Sequence, residues 1–144
     1  MYTIEHIIKN ISFESDATKG VLFVNPPDAS KDLFNNEAAL RKKYWNYPAY
    51  GLGILASLIE SIDVNCNIVN LNHEILKGVI DSNGNNDFES LWKHHLNNEI
   101  SKGIYDIVVI TCMFSQTHES AKDVVDFLLE YESNILLCMG GVHT

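Results

Sequence analysis

Four short apolar runs punctuate the chain, each ended abruptly by polar, glycine or proline residues. Val21, Leu22, Phe23 and Val24 follow Gly20 and stop at Asn25-Pro26-Pro27, the pattern of a buried parallel strand ending at its carboxyl edge. Residues 66–71, residues 105–111 centred on Ile107-Val108-Val109-Ile110, and residues 135–139 predict three more strands. Between them the apolar spacing changes to three and four. Pro48 suits a first helical turn, and Leu52, Leu55, Leu58, Ile59 and Ile62 supply the stripe of one helix. Phe88, Leu91, Trp92, His95 and Ile100 mark a second, ending near Gly103. Ala121, Val124, Val125, Leu128 and Leu129 mark a third, with Ser115 or Thr117 as its cap. Residues 28–47 predict a long loop, functional or partly helical, and residues 72–86 an irregular polar connection with a turn at Asn83-Gly84.

Strand and helix in alternation give an α/β domain with an open, mostly parallel, doubly wound sheet, in which the first strand is central and Thr111 and Gly140 both lie at the carboxyl edge. Residues 1–19 read as an N-terminal extension and residues 20–144 as the domain. Domains of this class ordinarily carry a fifth strand and a closing helix, so the sheet is expected to be truncated after its fourth strand and the chain to be part of a longer polypeptide.

Composition narrows the function classes. With 46% hydrophobic and 20% charged residues the chain is an ordinary globular one, and a net charge of −9 over 144 residues argues against a nucleic-acid partner. Anionic ligands stay open, because backbone N–H groups at helix starts and glycine turns bind phosphate without net positive charge. Cys66, Cys112 and Cys138 sit in or beside apolar runs, with Cys138 expected to face the core, which fits reduced thiols and a cytoplasmic protein. The first twenty residues lack the pattern of a secretion signal, and no run is long enough to cross a bilayer, so no membrane partner is expected.

In open parallel sheets ligands bind beyond the carboxyl ends of the strands. Four segments fall there: Asn25-Pro26-Pro27, Asn72-His73-Glu74, residues 111–118, and the ending Gly140-Gly141-Val142-His143-Thr144. The segment 111–118 brings hydroxyls, an amide and an imidazole to a helix start, although Ser115 and Thr117 are equally read as caps. Paired glycines after a buried strand suit close approach of a bulky ligand, and a turn accounts for one of them. No Gly-x-Gly-x-x-Gly follows the first strand, and no Gly-x-x-x-x-Gly-Lys-Ser/Thr occurs, which disfavours dinucleotide and nucleoside-triphosphate sites. Cys112, His118 and His143 lack the paired close spacing of a zinc site.

Taken in order, these motifs resemble the cobalamin-binding domain at the N-terminus of many radical S-adenosylmethionine enzymes. The resemblance rests on the first strand with Asn25-Pro26-Pro27, on Tyr47-Pro48-Ala49-Tyr50-Gly51-Leu52-Gly53-Ile54-Leu55-Ala56-Ser57-Leu58, on the strand at 68–71, on residues 106–114, and on Met139-Gly140-Gly141-Val142-His143-Thr144. It covers residues 20–144, with poor matches at 28–46 and 72–103. It implies a Rossmann-like or flavodoxin-like fold holding the corrin over the strand ends, with Thr111-Cys112-Met113 where the broader cobalamin-binding fold has Ser-x-Leu. The histidine motif that supplies cobalt's lower ligand in that fold is absent after the first strand.

The cofactor-binding residues it implies are Asn25, Pro26, Pro27, Tyr50, Gly51, Leu52, Thr111, Cys112, Met113, Phe114, Ser115, Gly140, Gly141, Val142 and His143, with none catalytic and none binding metal. The parent protein would be a cobalamin-dependent methyltransferase acting on a small-molecule or peptide substrate. Its following domain would carry S-adenosylmethionine and a [4Fe-4S] cluster. The alternative is a degenerate domain of the same fold that binds no cobalamin and serves docking or substrate positioning. A flavodoxin-like flavin binder or a response-regulator-like domain fits less well, because the first strand ends in Asn-Pro-Pro.

Overall fold

The computed structural model describes residues 19–131 and 135–141. Its frame is a four-stranded sheet in which every pairing is parallel, with strands β1 (Val21–Asn25), β2 (Cys66–Asn70), β3 (Ile107–Thr111) and β4 (Leu136–Gly140) in the order β2-β1-β3-β4. The chain is thus an open, doubly wound α/β domain, and β1 is an inner strand as its unbroken apolar run requires. Thr111 pairs with Gly140 at one end of the sheet, and Asn25 with Asn70, so all four strands stop at a common carboxyl edge.

The helices are α1 (Asn36–Leu40), α2 (Tyr50–Glu60), α3 (Leu71–Asp81), α4 (Phe88–Ile100) and α5 (His118–Leu129), with a single 3-10 turn at Ser115–Thr117. One face of the sheet carries Leu22, Val24, Val69, Val108 and Ile110 and is covered by α3, α4 and α5, which bury Ile75, Trp92, Leu96 and Val124 against it. The other face carries Val21, Phe23, Ile68, Ile107 and Val109, and α2 meets it with Leu52 and Ala56. Alternation along β4 places Leu136 and Cys138 on this second face, where Leu136 is 49% exposed and Cys138 is also exposed. The expectation that Cys138 points into the core is therefore wrong: it sits on an edge strand, on the side that α2 does not reach.

Three further expectations are corrected. The segment 72–86 is not irregular, since most of it is α3, which starts immediately after β2 because the Asn70 side chain accepts a hydrogen bond from the His73 N–H at 3.1 Å. Only the turn at Asn83-Gly84 survives, both residues having positive φ. The predicted α2 stripe is buried only in part, for Leu55, Leu58 and Ile62 face outward. Neither Ser115 nor Thr117 caps α5 through its side chain; the Thr117 hydroxyl donates to the Phe114 carbonyl at 2.8 Å.

The long loop after β1 is held by packing. Phe34 stacks on Tyr44 with ring centroids 5.0 Å apart and lies 4.8 Å from Phe88. Asn35 caps α1 by accepting from the Ala38 N–H, and the Asn36 amide donates to the Gly84 carbonyl at 3.2 Å. Among the described residues no helix is long and apolar enough to cross a membrane.

Candidate functional site

In the strand order β2-β1-β3-β4 the connections leave β1 and β3 in opposite directions, which opens a crevice between their carboxyl ends. A cavity of about 450 Å³ lies there, within the size range of small-ligand sites. Its floor is built from the strand ends Asn25, Ile110, Thr111 and Gly140, and α2 supplies one wall through Gly51, Leu52 and Leu55. Met113 and Phe114, from the loop after β3, stand across from it, and Tyr47 and Tyr50 complete the rim. These four rim side chains are exposed, Tyr50 at 75% and Phe114 at 57%. Large apolar groups left in water around a concavity mark a binding surface more often than a core.

A polar web fixes the mouth. The Asn25 amide donates to Asn70 Oδ1 at 3.0 Å, and the Asn70 amide reaches the Tyr47 carbonyl at 3.5 Å. Asn72, buried in the first turn of α3, donates to the Trp45 carbonyl at 3.2 Å and to Asp28 Oδ2 at 3.0 Å. The Asp28 N–H donates in return to Asn72 Oδ1 at 3.3 Å. The loop carrying Trp45 and Tyr47, whose rings stack with centroids 5.5 Å apart, is thereby tied to the ends of β1 and β2. Asp28 is the cavity's carboxylate, and its withdrawal from water pushes its pKa up. No Lys, Arg or His is among the described residues that line the cavity.

Ten of the residues expected from sequence meet in this cavity: Asn25, Pro26, Tyr50, Gly51, Leu52, Thr111, Met113, Phe114, Gly140 and Gly141. Pro27 and Cys112 are buried and do not line it, and Ser115 is exposed at the start of the 3-10 turn. Val142 and His143 lie outside the described residues. The cavity has further walls outside that set of cofactor-binding residues: Asn72 and Thr117, from two of the strand-end segments expected at the site, and Asp28, Tyr47, Pro48, Ala49, Leu55, Val109 and Ile110. His73 and Glu74, expected in a strand-end loop, sit instead on α3, where His73 Nδ1 meets the Asn46 amide at 2.8 Å and Glu74 faces His95 at 3.4 Å.

The two terminal glycines differ. A Cβ on Gly140 would meet nothing within 4 Å and would project into open space. Gly141 has φ 140°, and a Cβ there would strike the Cys112 backbone, coming within 2.7 Å of its carbonyl carbon. Gly141 is thus required by the turn itself, which corrects the expectation that it is kept small for a ligand; the glycine with room in front of it is Gly140. A second, more open groove of about 700 Å³ runs along α2 between Pro48, Ile54, Leu58 and Ile68 and reaches Asn70 at the end of β2.

Fold and cavity together define a parallel α/β domain with an apolar, aromatic-rimmed site at its topological switch point. Comparison with protein-family models, with curated proteins and with solved structures returned no match. Among the described residues no group of three or more His, Cys, Asp or Glu side chains stands together as a metal site.

Proposed function

We propose that this domain is a cobalamin-binding module of a cytoplasmic radical S-adenosylmethionine methyltransferase. The observation that carries the reading is the convergence of Asn25, Thr111 and Gly140, from three separate sequence motifs, on one cavity at the switch point. A cavity of about 450 Å³ is too small for the whole cofactor but has room for a flat nucleotide end. The open space before Gly140 is a cradle that any larger residue would fill. The exposed rim of Tyr47, Tyr50, Met113 and Phe114 offers a broad apolar surface for the corrin above it. With no cationic side chain among the described lining residues, a phosphate in the tail would be held by backbone N–H groups. When bound, cobalamin would supply a methyl group; the residues here hold and orient it. S-adenosylmethionine and a [4Fe-4S] cluster would belong to a following domain acting on a small-molecule or peptide substrate.

The test is retention of colour. Protein mixed with hydroxocobalamin and desalted is expected to carry the corrin absorbance in about stoichiometric amount, and colourless protein would refute the reading. One observation favours docking as the second reading: on the sheet face that α2 packs against, β4 leaves Leu136 and Cys138 exposed. Colourless protein that buries this face against another domain would establish that alternative.

A further inference from the structure

Asp28 lies three residues beyond the end of β1, after the stiff pair Pro26-Pro27, and its place is fixed from both sides by the buried amide of Asn72. That amide engages Oδ2 only. Oδ1 takes no hydrogen bond from the described residues, and none of the described ion pairs includes Asp28. Asp28 is half-buried at the lining of the cavity, and its Oδ1 is left to water, so a ligand entering the cavity can claim this acceptor without breaking a bond within the protein. A purely structural role does not require it. Asparagine could accept the same Asn72 bond through its carbonyl oxygen, and the bond from the residue 28 N–H is independent of the side chain.

We propose that Asp28 is the recognition residue of this cavity: its unengaged carboxylate oxygen accepts a hydrogen bond from a hydroxyl or amide N–H of the ligand. The site then selects a flat, largely apolar molecule whose inner end bears hydrogen-bond donors, and it disfavours an anionic group at that end. Carboxylates recognise ribose hydroxyls in other parallel α/β domains by the same chemistry, so a ribosyl group is the substrate class that fits. This inference rests on reading the cavity as a ligand site, but it does not require the ligand to be cobalamin.

The experiment compares the full chain with Asp28→Asn, which keeps shape and the Asn72 bond but replaces the unused acceptor by a donor. The probes are hydroxocobalamin, adenosine and 2′,3′-dideoxyadenosine, with the melting temperature of the ligand-free protein measured alongside. A hydrogen bond to a charged group predicts that Asp28→Asn weakens binding of hydroxocobalamin or adenosine about tenfold to a hundredfold. It also predicts that the wild-type preference for adenosine over its dideoxy analogue vanishes in the variant, at unchanged melting temperature. Retention of corrin by the wild type with equal retention by Asp28→Asn, and no adenosine discrimination, would overturn the role of Asp28 while leaving the cobalamin reading intact. Absence of corrin together with Asp28-dependent adenosine discrimination would refute cobalamin and support this inference. Failure of the wild type to bind any probe would overturn both. Should Asp28→Asn fold poorly, Asp28→Glu decides: restored folding with restored discrimination supports recognition, and restored folding without it assigns Asp28 a structural role only.

Discussion

Two adjacent glycines at the end of β4 separate a requirement of the backbone from a requirement of the ligand, and substituting each gives opposite expected results. At Gly141, alanine puts its Cβ against the Cys112 carbonyl oxygen, with the Cys112 nitrogen 3.0 Å away and φ held at 140°. These are backbone atoms at the end of the neighbouring strand and cannot swing aside. Backbone strain of this kind costs about 1–3 kcal/mol, and the steric overlap adds to it, so about 3 kcal/mol is expected. For a chain of this size that lowers the melting temperature by about 10 °C. At Gly140, leucine meets no atom at Cβ, and its stability change should stay within about 1 kcal/mol. The leucine does, however, fill the cavity floor beside Thr111. Displacing three or four buried carbon contacts of a ligand, at about 0.8 kcal/mol each, weakens binding by about 2.5–3 kcal/mol, or roughly a hundredfold.

The assay pairs thermal unfolding without ligand and corrin retention after desalting for both variants. Gly140→Leu should melt like the wild type and lose the corrin; Gly141→Ala should melt low whether or not cofactor is present. A Gly141→Ala protein with unaltered melting temperature would refute the backbone argument. A Gly140→Leu protein that keeps its colour would remove this cavity from the binding site.

Other expectations follow from the same geometry. Gly53 lies inside α2 with nothing within 4 Å of its would-be Cβ, so Gly53→Ala should stabilise the fold by about 0.5–1 kcal/mol, read as a rise of about 2–4 °C in melting temperature. Leu96 is fully buried on α4, and Leu96→Ala should cost about 2–5 kcal/mol in denaturant unfolding. In native protein, Cys138 should react with a thiol reagent at the rate of a free cysteine while Cys112, fully buried, reacts only on unfolding; protection of Cys138 would mean that its face is covered. For Glu99, burial raises the carboxyl pKa, but hydrogen bonds from Lys102 and the Asn67 amide outweigh it and hold the pKa below the ordinary range. Its stabilisation is therefore complete above the unfolded-state pKa and is lost as pH falls through the lower folded one. Glu99→Gln should be less stable by about 1 kcal/mol at neutral pH, and the gap should close below about pH 4 in urea titrations.

Much of the fold is legible in the sequence because parallel strands must be apolar on both sides and stop sharply. The four runs, the central place of β1 and the common edge of Thr111 and Gly140 all follow from that. The α3 helix is obscured because no loop separates it from β2: the last residue of the strand is also the helix cap, and Asn72-His73-Glu74 imitates a polar connection. Its stripe of Leu71, Ile75 and Val79 was the available signal, weakened by Gly78 in mid-helix. There the missing Cβ makes room for Leu91, so the residue that argues against a helix is what lets α3 and α4 pack closely. Cys138 misleads for the converse reason. An apolar run looks the same on an edge strand with one bare face as on an inner strand, and only the layering tells them apart.

The candidate site divides along a similar line. Residues that mark strand ends, such as Asn25, Thr111 and Gly140, are visible because a strand end is a local event. Asp28, Asn72 and Tyr47 are fixed at the cavity by bonds between segments 23–44 residues apart, Asn72 to Asp28, Asn72 to Trp45 and Asn70 to Tyr47, which no local pattern encodes. These bonds decide the chemistry of the mouth. They bring one carboxylate to a site that has no cationic side chain among its described lining, in a chain whose net charge is already −9. An anion approaching that end would meet repulsion without a compensating partner, whereas a neutral group with O–H or N–H donors would pair with the Asp28 oxygen that no described residue engages. On the proposed reading, a phosphate-bearing ligand would turn its donor-rich end toward Asp28 and its phosphate away from it.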